Sequence, residues 1–559
     1  MERRTKVLEF RDDEATEYAI LSHRWIDPTE VDYEEMIDLA KMDREERDEI
    51  CGRLGYKKIV NTCQQAKQDG YEWVWIDTCC IDKRSSAELS EAINSMYRWY
   101  ENAKTCYAYL HDVDGPSLPT EEDKEKYHKS NGWPEWFSRG WTLQEMIAPR
   151  NLQFFNKHWQ PIGDKKGLAQ DLRWITGVPV HILSDGLEGN HPCVAQIISW
   201  AANRTTTRVE DKAYSLMGLL DVNMPMLYGE GKKAFHRLQL EIIRSSNDQS
   251  IFAWGHRSDV RIGSVLADEP SDFEDCSEMK LMDHDQFIKR FPKDHSDVFL
   301  ITNRGIQIWM PLHRHRDSNS IFRAYLPCCY GAAAIEVSIN LVLWNSNYYR
   351  YPSIARDADR GDYPDYPRAT KFRQVYLRYQ DASNHTVTFD IDDSVMIENG
   401  FTCSHVDTGN TGNRGNTFTL TNTNPYCVKI YSEERGDGRF EVDFGQCLGL
   451  DWVHLDVARH PEPWIDDTLK IQVPGGALSM ADAPSHDKSL GRLWVCHLRL
   501  PGSTWMVRIY RVAWERSKIR LRIEIFRSSH FQNGLSEWNA YDVEVSNFLV
   551  HVDYYHDHS

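Results

Sequence analysis

YEWVWIDTCCIDKRSSAELSEAINSMYRWYENAKTCYAYL, residues 71–110, holds a strand, a helix and a second strand in one run. YEWVWID (71–77) and TCYAYL (105–110) are short apolar segments of the buried-strand type. Between them Ser85 and Glu88 stand at capping-box spacing. The helix they open aligns Leu89, Ile93, Met96, Tyr97 and Tyr100 on its buried side. Working outward, EYAILSH (17–23) reads as an earlier strand and NLQFF (151–155) as a later one. Residues 56–69 place Ile59, Cys63 and Ala66 at helical spacing before Gly70, a helix stop. WFSRGWTLQEM reads as one helix that Pro149 terminates, with Glu145 one turn after Trp141 and so on the same face. Strand–helix alternation of this kind predicts a parallel sheet covered by helices on both faces. Ligands of such sheets sit beyond the carboxyl ends of the strands. Here those ends carry Ser22, His23, Arg24 and Trp25 after the first strand, and Asp77 after the second.

Residues 165–250 read as mostly helical, with Phe235, Leu238, Ile242 and Ile243 forming an apolar stripe of the core-packing kind. From about 260 helical periodicity fades and short β-rich runs take over, among them VFLITNRGIQIWM, AAIEVSINLVLW, TWMVRIYRVAW and IRLRIEIF. This is an all-β pattern without a fixed repeat. The expected organisation is an α/β domain over 1–160, a helical extension over 161–255 and a β-rich region of unassigned role over 256–559.

At 559 residues the chain exceeds one core, and 41% hydrophobic with 12% aromatic content fits a globular protein. A net charge of −19 argues against nucleic acid as the main partner. The first residues, MERRTKVLEFRDDE, lack the apolar core of a signal peptide, and no apolar run reaches membrane-spanning length. Thirteen cysteines without a CxxC pair suit free thiols in a reducing cytosol, so a cytoplasmic location is expected. GEGKKAF (229–235) has the lysine of a phosphate loop but the wrong glycine spacing. No GxGxxG, HExxH or GxSxG occurs. The tail HVDYYHDHS has histidines and aspartates, yet a solvated tail is the stronger reading, and no metal is expected. Cys79–Cys80 and Cys328–Cys329 read as packing.

YAILSHRW (18–25), residues 71–113, WFSRGWTLQEMIAPRNLQFFNKHW (136–159) and TTRVEDKAYSLMGLLDVNMPMLYGEGKKAFHRLQLEII (206–243) together resemble the heterokaryon-incompatibility (HET) domain of filamentous fungi. The resemblance covers roughly the first 255 residues. One departure is Ile26, where the family usually has glycine after the tryptophan of the first motif. HET domains in turn look like remote relatives of TIR domains, which implies a TIR-like, flavodoxin-like sheet. GWTLQE resembles the tryptophan-plus-glutamate motif of enzymatic TIR domains, and the carry-over makes Glu145 the catalytic acid beside Trp141. The resemblance implies a cell-death effector of fungal vegetative incompatibility and innate immunity that hydrolyses NAD at the nicotinamide–ribose bond. NAD would be its substrate, with no cofactor required. Self-assembly into a homo-oligomer and an incompatibility partner protein are implied as well. A non-enzymatic death-signalling module, regulated by a β-rich ligand-recognition region, is the alternative.

Under the hydrolase reading, Arg24 is either a pyrophosphate ligand, because its planar fork suits phosphate oxygens, or a surface or ion-paired arginine. Ser22 and His23 would line the same strand-end loop. Trp25, Trp75 and Trp141 either stack on the nucleotide or pack in the core. Asp77 and Asp82 either contact ribose and order the loop or cap the helix that begins near Ser85.

Overall fold

A computed structural model describes residues 8–26, 28–39, 41–255, 263–292, 298–314, 321–344, 346–351, 370–380, 386–406, 416–421, 426–434, 439–447, 450–457, 470–473, 495–499, 505–515 and 518–527. The β-rich run YDVEVSNFLVHVDYY (541–555) and the histidine-bearing tail that overlaps it lie outside them. The first sheet contains β1 (Tyr18–His23), β2 (Trp73–Trp75), β3 (Thr105–Tyr109), β4 (Leu152–Phe155) and β5 (Pro161–Asp164), in the order β2-β1-β3-β4-β5. The pairs β1–β2, β1–β3 and β3–β4 are parallel, and β5 is an antiparallel edge. The chain leaves β1 for one neighbour and returns from β2 to the other. The order therefore reverses at β1, and in open sheets of this kind the carboxyl ends beside such a reversal, here those of β1 and β3, are where ligands bind.

Strand alternation divides the core in two. Tyr18 and Ile20 of β1, Cys106 and Ala108 of β3, and Leu152 and Phe154 of β4 face one apolar cluster. Ala19 and Leu21, Tyr107, and Phe155 face the other. Helices cover both faces. On the second face lie α1 (Tyr33–Asp38), α2 (Arg44–Gly52) and α3 (Leu54–Gln68), which contribute Met36, Ile50 and Ala66. On the first lie α4 (Ser86–Asn102) and α5 (Thr142–Ile147), which contribute Ile93, Met96, Leu143 and Met146. Ser85 accepts from Glu88 N, but the Glu88 carboxylate closes on Asp82 N, three residues before the cap.

The expected single helix over WFSRGWTLQEM is instead two pieces. A 3-10 turn spans Glu135–Ser138, Arg139 is extended and bridged to Thr205, and α5 starts after Trp141. The pairing with the 205 strand segment removes Arg139 and Gly140 from any helical ladder, because Gly140 N bonds Thr205 O. A Cβ on Gly140 would stand 2.6 Å from Thr206 Cγ2, so this close approach requires glycine.

Short helices and turns fill the stretch between Ala169 and Ser245, and Phe235, Leu238, Ile242 and Ile243 of the helix Lys233–Ser245 are all buried. A seven-stranded, mainly antiparallel sheet follows, built from strands between Met279 and Leu377. Its inner residues, among them Ile308, Met310, Val337 and Ile339, belong to the same continuous core as the first sheet and the helices. Val265, Leu266, Ala267 and Phe273 join that core too. Two further five-stranded sheets, between Val387 and Arg527, close a separate core around Phe389, Phe401, Tyr431, Phe440 and Ile523. The chain is thus mixed α/β with a β-rich carboxyl-terminal part. Among the described residues, no helix is long and apolar enough to cross a membrane.

Candidate functional site at the carboxyl end of the first strand

The last two residues of β1 point to opposite faces, and each meets a buried ionisable group. Ser22, on the α5 side, donates to Glu145 Oε2 at 2.5 Å. Its oxygen accepts from Trp136 Nε1 at 2.8 Å, so the 3-10 turn and α5 are tied to β1 through one hydroxyl. Glu145 is 4% exposed. Burial, reinforced by the negative charge of Asp77, pushes its carboxyl up to about 8, while Ser22, Arg139 and Arg204 work in the other direction. The acid is therefore mostly protonated at neutral pH in this conformation.

Buried cations secure both ends of α5. Arg204 donates to Arg139 O at 2.8 Å and to Thr142 Oγ1 at 3.0 Å, and its Nη2 is buried without a hydrogen-bond partner. Lys165 donates to Ile147 O at 3.2 Å and to Pro149 O, capping the carbonyl end. Trp141 precedes α5, packs half-buried against the core and bonds Asp211.

His23, on the α3 side, sits between Lys58 and Asp77. Lys58 Nζ is 2.7 Å from His23 Nδ1, and His23 Nε2 is 2.9 Å from Asp77 Oδ1. An ammonium only donates, so Nδ1 accepts and Nε2 carries the proton to Asp77. Burial and the Lys58 charge keep the imidazole pKa low, which agrees with a neutral ring. Lys58 also pairs with Glu30 at 2.5 Å, and burial lowers its own pKa. Asp77 takes Trp25 Nε1 on its second oxygen at 2.8 Å. Burial works to raise the Asp77 carboxyl pKa, but His23 and Lys83 hold it below the ordinary range. Lys83 lies 3.7 Å over the Trp25 ring.

The sequence-derived residues thus fall into separate groups. Ser22 and Glu145 touch. His23, Trp25 and Asp77 form a second group on the other face. Arg24, between them, pairs with Glu135. Asp82 is taken up by Arg84 in its own turn, with both carboxylate oxygens 2.9 Å from the guanidinium. Trp75 packs on Trp99 and Tyr100 in the core. The Gly229 and Gly231 amides of the GEGKKAF stretch both donate to Glu210. Cys79 is buried and Cys80 is half-buried. No group of metal-ligating side chains occurs among the described residues.

Lys58, Trp136, Glu135, His111 and Arg204 complete the surroundings and are not singled out by sequence. Lys58 carries no motif, yet it is buried and its ammonium reaches His23 Nδ1 and Arg24 O at the strand end. Arg204 is distant in sequence and carries no motif.

Residues 18–133 match the heterokaryon incompatibility protein (HET) family, and residues 233–261 match a domain of unknown function, DUF8212. Over 230 residues, 40% of this chain, the sequence is 44% identical to the vegetative incompatibility protein HET-E-1 of Podospora anserina. The chain spans only 16% of that relative's length. Structures of the Xerocomus chrysenteron lectin XCL align with 26% of this chain and 99–100% of theirs, at 12–14% identity and a TM-score of 0.17. A likeness of that size says nothing of this chain's fold or ligand. The family match and the identity to HET-E-1 agree, and the chain carries a heterokaryon-incompatibility (HET) domain over residues 18–133.

Proposed function

We propose that this chain acts as an effector of fungal vegetative incompatibility whose TIR-like HET domain cleaves NAD at the nicotinamide–ribose bond, with Glu145 as the essential acid. The observation that supports it is the placement of a buried carboxylate against Ser22, at the carboxyl end of β1 where the strand order reverses. The order β2-β1-β3-β4 is also that of a flavodoxin-like sheet.

Nicotinamide is a neutral leaving group on a cationic ring, so departure requires no general acid. Positive charge develops on the ribose, as in glycoside cleavage. An ionised Glu145 beside it would stabilise that charge by roughly 4 kcal/mol at 4 Å and an effective dielectric near 20. That amounts to about three powers of ten in rate. The cationic substrate favours ionisation of a carboxyl that burial otherwise keeps protonated. Chemistry therefore needs the roof formed by Trp136 and α5 to open and admit the ribose. Ser22 fixes the carboxylate orientation, and the His23–Asp77–Lys58 set braces the strand end.

The burial of Glu145 equally favours a second reading. In it the acid is a structural tie, and the HET domain is a non-enzymatic module that recruits a partner and assembles with copies of itself. Expression of the full chain and of Glu145→Gln in fungal cells separates the two. The hydrolase reading expects wild type to deplete cellular NAD and kill, and the variant to do neither at equal abundance. Killing that persists in the variant would establish the module reading.

A further inference from the structure

The carboxyl ends of β1 and β3 carry an ion cluster that the chemistry above does not use. Arg24 follows β1 and His111 follows β3, so the sheet's reversal places them beside one another. Glu135, first residue of the 3-10 turn, reaches between them. Its Oε2 pairs with Arg24 Nη1 and lies 3.6 Å from His111 Nε2. That oxygen is enclosed, yet it makes no hydrogen bond of good geometry, and neither do His111 Nδ1 and Asp112 Oδ1 nearby. Asp112 Oδ2 accepts from Glu135 N at 2.8 Å and fixes the turn. The three side chains nonetheless remain open to solvent, at 32% for Arg24, 20% for His111 and 18% for Glu135. A cation fork and an imidazole facing one poorly matched carboxylate oxygen are the donors a phosphate takes with several oxygens.

We propose that Glu135 is an internal stand-in for phosphate, occupying a subsite for the pyrophosphate of a dinucleotide formed by Arg24 and His111, and that its displacement unlocks Glu145. The coupling is covalent and short. Trp136 is the next residue, and its indole holds the Ser22 hydroxyl that holds Glu145. Pyrophosphate entering between Arg24 and His111 expels Glu135, moves Trp136 and frees the acid beneath it. The inference rests on the hydrolase reading only for the name of the ligand and gives that site its gate.

Titration calorimetry on the full chain tests it, with inorganic pyrophosphate and ADP-ribose as probes. Glu135→Ala and the more conservative Glu135→Gln each remove the competing charge. Both should bind either probe about tenfold more tightly than wild type, because the competent form no longer has to be uncovered. Arg24→Ala added to either should erase the gain. Hydrogen exchange of the amides at 142–147 should quicken in both Glu135 variants. Unchanged or weaker binding by folded Glu135 variants overturns the subsite. A gain limited to inorganic pyrophosphate overturns the dinucleotide assignment, and unchanged exchange at 142–147 overturns the gate. Nicotinamide release from NAD is followed separately. Tighter binding without release would leave the subsite standing and remove the hydrolase reading.

Discussion

Among the described residues, the buried carboxylates Glu145 and Asp393 lie in different cores, and their surroundings differ in kind. Asp393, at the base of the carboxyl-terminal sheets, is 2% exposed. Asn416 donates to one of its oxygens at 2.7 Å and Tyr431 to the other at 2.9 Å. The fully buried Lys429 ammonium lies 3.5 Å away and bonds Asn416 in turn. Charge and hydrogen bonds are matched there, as a structural buried pair requires. Glu145 is equally buried but meets the Ser22 hydroxyl, while Arg139 and Arg204 act only at longer range. A matched acid holds a fold together. An acid left without a contacting cation holds a proton instead.

Breaking each acid should therefore have opposite effects on stability. Asp393→Asn leaves Lys429 charged and buried, and should cost about 3–5 kcal/mol in chemical denaturation. Glu145→Gln should stabilise the chain at pH 7 by about 3 kcal/mol, since about 2.5 pH units separate that pH from an ordinary glutamate pKa and each is worth about 1.4 kcal/mol. Destabilisation by both substitutions would show that the contrast between the two acids is wrong.

The pH dependence sharpens the same contrast. The folded-state pKa of Glu145 is raised, so its protonated form favours the fold. That contribution is complete below the ordinary glutamate range and disappears as pH rises through about 8. Wild-type melting temperature should accordingly fall across this window relative to Glu145→Gln, whose profile should be flatter. Parallel profiles would place the Glu145 proton elsewhere. The smallest expected effect comes from Ser22→Ala. It strands the Trp136 indole and removes the Ser22 hydroxyl bond to Glu145, for a loss of about 1–3 kcal/mol in denaturant melts.

Much of the first sheet is legible in the sequence, because β1, β3 and β4 are continuous apolar runs and α4 has a clear stripe. β5 is not, since Pro161–Asp164 is a mostly exposed edge without a pattern. α1 and α2 are polar on most sides, and only Asp32–Glu35 and Asp43–Glu46 mark their starts as caps. The break before α5 depends on pairing with Thr205, and a helical reading of 136–146 has no access to a partner so distant in sequence. The site was half legible for the same reason. Ser22 and Glu145 stand in recognisable motifs, whereas Lys58, Glu135 and Arg204 acquire their roles only when folding buries or pairs them.

The most direct measurement is chromatography of nicotinamide released when purified full-length chain is incubated with NAD, beside Glu145→Gln at matched folding. Release by wild type should rise toward pH 8 and drop about a thousandfold in the variant. Equal release by the two proteins would contradict it.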